Sequence, residues 1–234
     1  MMQYSIIIPV LHEAPIINRC LYDLDTLEYR DACEVIVVDG GHGGDTIKVI
    51  SRRDVRCLQS PRGRALQMNA GAAIARGHIL IFLHADTQLP RNALVLIEQA
   101  MAGGRFAGGA FDFQIDSPRA VFKIISRISS LRSRLTRIPY GDQAIFMGRE
   151  TFASMGRYPE MALMEDVALM QRVKKSGGRL CFISTPVITS ARRWEKEGVC
   201  YTTLRNWLIL TAYFLGIAPD KLSKYYQNGR LWKY

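Results

Sequence analysis

Histidine is scarce in this chain, with four in 234 residues, and the five cysteines are odd in number and widely spaced. Cys20, Cys33, Cys57, Cys181 and Cys200 form no C-x-x-C pair, which argues against a zinc cluster or a dithiol redox centre and makes a reducing, cytoplasmic setting the expectation. No apolar run approaches the ~20 residues that a membrane-spanning helix needs. The apolar stretch from Trp207 to Ala218 is too short and reads as a helix packed on the domain, with a helix lying in the membrane surface as the other reading. The opening MMQYSIIIPV lacks a basic n-region and a small-residue cleavage site, so it reads as a strand and not as a signal peptide. No glycine occurs in Pro9-Val10-Leu11-His12-Glu13-Ala14-Pro15, where a dinucleotide-binding enzyme would carry G-x-G-x-x-G, and G-x-x-x-x-G-K-[ST] is absent altogether. Acids are also short: 21 Asp and Glu face 31 Lys and Arg, a net charge of +10 that implies an anionic partner.

What is present is enough to fold. Hydrophobic residues make up 48% and charged residues 22%, a globular balance, and the length suits one α/β domain spanning 1–234. Ser5 to Val10, Glu34 to Asp39, Val55 to Leu58 and His78 to His84 are runs rich in Ile, Val and Leu, as in strands buried on both faces. Helical spacing follows Pro15 and recurs over Arg64 to Arg76. Alternation of this kind predicts a mostly parallel sheet with ligands beyond the carboxyl ends of its strands. Further on, Gly103 to Gly109 reads as a loop, Ala110 to Ile115 as a strand and Pro118 to Ile138 as a basic amphipathic helix. Its apolar positions are Ile124, Ile128, Leu131, Leu135 and Ile138, expected to pack inward with the basic face in solvent, with docking of this cationic surface on anionic lipid as the other reading.

Several polar groups stand where strands end. Asp39 closes the second strand ahead of Gly40-Gly41-His42-Gly43-Gly44, where it suits a ribose hydroxyl or base edge, while Asp45 reads equally well as a helix cap. Asp86, in His84-Ala85-Asp86-Thr87, leaves a buried apolar strand, and a carboxylate there needs a partner such as Mg2+ or Mn2+, unless it caps the helix near Pro90. Arg64 and Asn69 suit phosphate oxygens and a nucleoside edge. Glu165 and Asp166 open a helix, where the helix dipole favours acids in any case; one of them also suits general-base work on an acceptor hydroxyl. Asp142 and Gln143 fit a turn that holds a polar acceptor.

In order, IIIPVLHE, VIVVDGG, GRALQMNAGAAIARGHILIFLHADT and MEDVALMQRVKKSGG resemble the family 2 glycosyltransferases of GT-A fold over nearly the whole chain. GDQAIFM and SARRW resemble, within that family, a small bacterial branch of arsenosugar-biosynthesis glycosyltransferases. The resemblance implies inverting transfer from a nucleotide diphosphate sugar, UDP-sugars favoured, to an unknown hydroxyl acceptor that is either a small molecule or lipid-linked. It implies a nucleotide-binding half over 1–100, an acceptor and catalytic half over 101–195 and a helical extension over 196–234. Pro9, Glu13 and Asp39 would line the nucleoside pocket with Arg64, Asn69 and Ala85 nearby, Asp86 would bind the metal, and Asp166 would be the base. Arg192, Arg193 and Trp194 would reach the acceptor or the diphosphate. Two departures stand out: His12 replaces the usual asparagine before Glu13, and His84 replaces the first acid of the metal motif, leaving Asp86 alone. A late glutamine is also absent, which speaks against processive synthesis.

Two other readings compete. A sugar nucleotidyltransferase would need a glycine-rich, lysine-bearing loop after the first strand, which is missing. A non-catalytic binder of nucleic acid or anionic membrane would suit the charge, yet Asp39 and Asp86 would repel phosphates without a metal. No nucleic-acid partner is therefore expected, whereas a peripheral contact with the membrane surface is compatible with the enzyme reading.

Overall fold

The computed structural model describes residues 3–228. Its four apolar runs form the strands β1 (Tyr4–Val10), β2 (Cys33–Asp39), β3 (Val55–Gln59) and β4 (Ile79–Phe82), all parallel, in the order β3-β2-β1-β4. Every residue of β4 and all of β1 except Pro9 is buried. Pro9 lies past Ile7, where pairing with β4 stops, so its missing N–H breaks no bond on that side. Parallel strands need crossovers, and α1 (Ile17–Asp25), the short α2 (Asp45–Lys48) and α3 (Arg64–Ile74) provide them. The α1 helix buries Ile17, Cys20, Leu21 and Leu24, the spacing read from the sequence. The α3 helix lies so close to the sheet that a Cβ on Gly71 would sit 2.5 Å from Ile7 Cγ2, which is why glycine is needed there.

The second half extends the same sheet with β5 (Thr87–Gln88), β6 (Gly108–Asp116), β7 (Phe146–Gly148) and β8 (Leu180–Ser190). The full order is β3-β2-β1-β4-β7-β6-β8-β5. The β7 strand runs antiparallel to both β4 and β6, while β8 is parallel to β6, so β1, β2, β4, β6 and β8 all end at one edge. Neither β7 nor β8 is legible in the sequence. The first is three residues long, and the second is broken by a register shift opposite Phe111 and Asp112, after which Pro186 resumes the pairing. Around them lie α4 (Ala93–Met101), α5 (Ala120–Thr136), α6 (Arg149–Ser154), α7 (Glu165–Lys175), α8 (Arg192–Glu197), α9 (Val199–Phe214) and α10 (Pro219–Asn228).

The α5 helix reverses the face expected of it. Ile124, Ile128, Leu131 and Leu135 are exposed, and of the expected packing residues only Ile138, past the helix end, is buried. The buried line is instead Phe122, Ser126, Ser130 and Ser133. The physical reason lies in β6, whose pairing with β7 covers only Gly108 and Gly109. Beyond that point its edge carries free amides, and α5 takes them up: Phe113 N–H donates to Ser130 Oγ and Ile115 N–H to Ser126 Oγ, both at 3.0 Å. Satisfying those donors turns the serines inward and leaves the isoleucines outside. The α9 helix likewise packs through Thr202, Arg205 and Ile209. None of the described helices is long and apolar enough to cross a membrane.

Candidate active site

The common edge of the sheet collects most of the singled-out side chains. At the end of β1, His12 adopts a left-handed conformation (φ 57°) and pairs with Asp45 at 2.9 Å. Asp45 therefore does not cap α2, whose N-cap is Gly44 without a side-chain bond. Asp39 takes that task. It is fully buried, its Oδ1 accepts the Gly41 amide at 2.8 Å, and its Oδ2 accepts the Thr46 and Ile47 amides at 3.1 and 3.3 Å. Those bonds hold the glycine loop against the strand, so both oxygens of the carboxylate expected to meet a ribose hydroxyl or base edge accept backbone amides. Gln67, buried beside them, donates through Nε2 to the carbonyls of Val10 and Val38, tying β1 to β2.

Asp86 belongs to a second group. It is half-buried, next to the buried Ala85, and caps no helix, since β5 intervenes before α4. The short β5 strand pairs with the end of β8, with Thr87 and Thr189 hydroxyls 3.0 Å apart, and the Ser190 amide donates to the Asp86 carbonyl at 3.1 Å. This splice brings Arg192, which follows β8, to 4.0 Å from the Asp86 carboxylate, and Arg192 also reaches Glu13 at 3.1 Å. Burial raises the Glu13 carboxyl above its ordinary range while Arg192 opposes the shift. Pro9 is half-buried near the end of β1. Among the described residues no cluster of three or more His, Cys, Asp or Glu can enclose a metal ion. A single accessible carboxylate fits Mg2+ or Mn2+ only if a substrate diphosphate completes the oxygen shell.

The third group lies at the start of α7. Glu165 is buried and pairs with Arg64 at 2.9 Å; burial raises its pKa, with Arg64 opposing. Arg64 and Glu165 are thus engaged with each other, unlike the separate phosphate and catalytic roles expected of them. Asp166 Oδ2 accepts the Gly141 amide at 2.8 Å, and its Oδ1 accepts the amide of Val167 at 2.7 Å. Gly141 is wedged between groups: a Cβ there would come 3.0 Å from His84 Nε2 and 3.6 Å from Asp166 Oδ2. Burial first, then Arg64, pushes the His84 imidazole down to about 4, so it is neutral at pH 7. Burial also pushes the half-buried Asp142 carboxyl up to about 6, against the pull of Arg132 and with the push of Asp166 and Asp86. Two expected binding amides are occupied. Asn69 bonds the Tyr158 backbone both ways, and Gln143 accepts from Ser133 Oγ and the Tyr140 amide while donating to the Phe111 carbonyl.

Beside Asp142 opens a pocket between α5 and α9 that sequence reasoning did not anticipate. Arg132, Tyr140, Trp194, Thr203 and Asn206 line it, and each carries a buried polar atom with no hydrogen-bond partner among the described residues. Arg132 stacks over the Tyr140 ring at 3.4 Å. Trp194 lines the pocket, packed against Phe113 and Phe122, whereas Arg193 turns to the Tyr226 ring 5.0 Å away. Unpaired buried polar groups cost about 1–3 kcal/mol each, so five of them converging here are stabilised by whatever water or polar group occupies the pocket. Only Trp194 and Asp142 are recoverable from motifs; Tyr140 lies just before Gly141, and Arg132 on α5 and Thr203 and Asn206 on α9 are about 70 residues apart.

Solved structures of other proteins share the fold. The mannosyltransferase PcManGT from Pyrobaculum calidifontis, in complex with GDP-Man and Mn2+, superposes with TM-score 0.68 at 21% identity over 95% of this chain and 67% of that one. TarS 1–349 from S. aureus, in complex with UDP, gives TM-score 0.67 at 16% identity over 81% of this chain and 60% of that one. At those identities the likeness shows the fold, GT-A, and the chain spans about two thirds or less of either relative. A search of curated proteins found no match. The family described as glycosyl transferase family 2 matches residues 5–170, from the first strand through the Glu165-Asp166 helix start. The chain belongs to glycosyl transferase family 2.

Proposed function

We propose that the protein transfers a sugar, with inversion, from a nucleotide diphosphate sugar to an acceptor hydroxyl, the whole of 1–234 acting as one GT-A domain. The observation that carries this reading is the meeting at the sheet edge of Asp166, whose Oδ2 accepts the Gly141 amide, with its pocket-lining neighbour Asp142, and of Asp86 with Glu13 through Arg192. The donor side is the Glu13, Asp86 and Arg192 group. Asp86 would hold Mg2+ or Mn2+ together with the diphosphate, and the ion's chemistry is to offset charge on the departing diphosphate. Arg192, half-exposed between two carboxylates, is free to swing to phosphate oxygens. Both solved relatives carry nucleotide ligands, GDP-Man in one and UDP in the other, which supports the donor class. A UDP-sugar is the first donor to test. The acceptor enters the pocket, where Trp194 offers an aromatic platform and Thr203 and Asn206 meet its hydroxyls.

Asp166 is the proposed base, since Gly141 N–H fixes one of its oxygens next to Asp142, which lines the pocket. A specific observation favours Asp142 as the competing base: it lines the pocket and its raised pKa suits proton transfer near neutrality. GDQAIFM and SARRW, which contribute Asp142 and Arg192, are the segments that favour the arsenosugar branch.

Calorimetry with UDP, GDP and CDP, with and without Mn2+, tests the donor reading. Metal-dependent binding of one diphosphate that weakens in Asp86→Ala is the expected result. Absence of binding by all three at millimolar concentration overturns it.

A further inference from the structure

Two helices of the second half turn apolar stripes outward. On α5, Val121, Ile124, Ile128, Leu131 and Leu135 succeed one another at steps of three and four residues and are all exposed, Leu135 to 76%. Successive helical residues turn by about 100°, so this stripe lies opposite the serines that meet β6. On α9 and just beyond it, Tyr201, Leu204, Leu208 and Leu215 face outward in the same rhythm, with Trp207 and Phe214 beside them. Both helices flank one pocket, α5 through Ile125 and Arg132 and α9 through Thr203 and Asn206. Trp207 belongs to the pocket lining and to the exposed face at once, so the apolar surface reaches the pocket mouth. Exposed apolar area of this extent marks an interaction surface.

Charge selects the partner. Neither helix contains an Asp or Glu. Lys123 and Arg127 are exposed about a quarter turn from the α5 stripe, Arg119 and Arg137 are exposed at its two ends, and the chain as a whole carries +10. A second copy docked here would set these cations against their equals. A bilayer containing anionic lipid accepts both features, apolar side chains at the acyl boundary and basic ones reaching the headgroups.

We propose that α5 and α9 form the face by which the protein seats on an anionic bilayer, with the mouth of the pocket at headgroup level. Only the role of the pocket rests on the glycosyltransferase reading. Docking itself needs no donor, so failure of diphosphate binding and failure of docking are separate results.

Sedimentation with vesicles tests it on the whole chain at low salt. The protein is expected to pellet with phosphatidylcholine vesicles containing phosphatidylglycerol and far less with phosphatidylcholine alone. The double variant Leu131→Ser/Leu208→Ser is expected to lower the partition coefficient by roughly tenfold or more, and Lys123→Glu/Arg127→Glu to abolish the preference for anionic vesicles. These positions are exposed, and an unchanged melting temperature and unchanged diphosphate binding verify that each variant is folded. Wild-type protein that pellets with neither vesicle overturns the proposal. So does light scattering that shows a dimer converted to monomer by Leu131→Ser/Leu208→Ser, which would assign the face to a second copy.

Discussion

Asp142 lies close enough to Asp166 for the Asp166 charge to add to the burial that raises its pKa. With its carboxyl at about 6, Asp142 is half-protonated at that pH, so if it is the base, kcat/KM falls as pH drops below about 6. Asp142→Asn then removes the acid limb along with most of the rate, whereas an Asp142 that only positions the acceptor leaves the limb in place; pH profiles of the two proteins separate these. The same shift makes a stability prediction of opposite sense. A raised pKa means the folded state holds the proton more tightly than the unfolded state, so the stabilising effect is complete near pH 4 and is lost as pH rises through 6. Asp142→Asn is therefore expected to raise the unfolding free energy by about 1–2 kcal/mol at pH 7 and to change it little at pH 4, measured by urea titration. The buried partner of Arg64 behaves differently. Arg64→Met leaves Glu165 uncompensated and is expected to cost about 2–4 kcal/mol, most of it recovered in Arg64→Met/Glu165→Leu.

At the level of elements, α5 shows how hydrogen bonding overrides apolar periodicity. The isoleucine spacing is a true helix signal, and the helix is there; the error lay in which side meets the sheet. A run of four-three hydrophobic positions carries no information on a neighbouring strand with free amides, and serines at 126, 130 and 133 look neutral in a sequence. Their importance is measurable. Ser126→Ala and Ser130→Ala each leave a buried β6 amide without a partner and are expected to cost about 1–3 kcal/mol. Ile124→Ser, the costlier change if the stripe packed inward, is expected to stay within about 0.5 kcal/mol. Chemical denaturation midpoints of the three variants decide the order.

For the whole molecule, the surplus of positive charge would draw a diphosphate toward an edge whose own side chains at the proposed donor site are two carboxylates and one arginine. Diphosphate binding is expected to weaken severalfold as NaCl rises from roughly 0.05 to 0.5 M, and Arg192→Glu, which adds a third acid beside Glu13 and Asp86, to lose most of the binding at any salt; calorimetry at two ionic strengths checks both. The parallel strands of the first half, and the placing of Asp39 and Asp86 at their ends, were readable from the order of residues because buried strands advertise themselves as unbroken Ile, Val and Leu runs. What each acid does was not. Three backbone amides fold round Asp39, and Arg64, at the start of α3, closes on Glu165, at the start of α7. Asp86 and Arg192 meet only because Thr87 pairs with Thr189 across 102 residues, and the pocket between α5 and α9 is lined as it is because α5 turns its serines toward β6. Motifs record local backbone preference, while partners distant in the chain are chosen by packing and by the requirement that buried polar groups be satisfied.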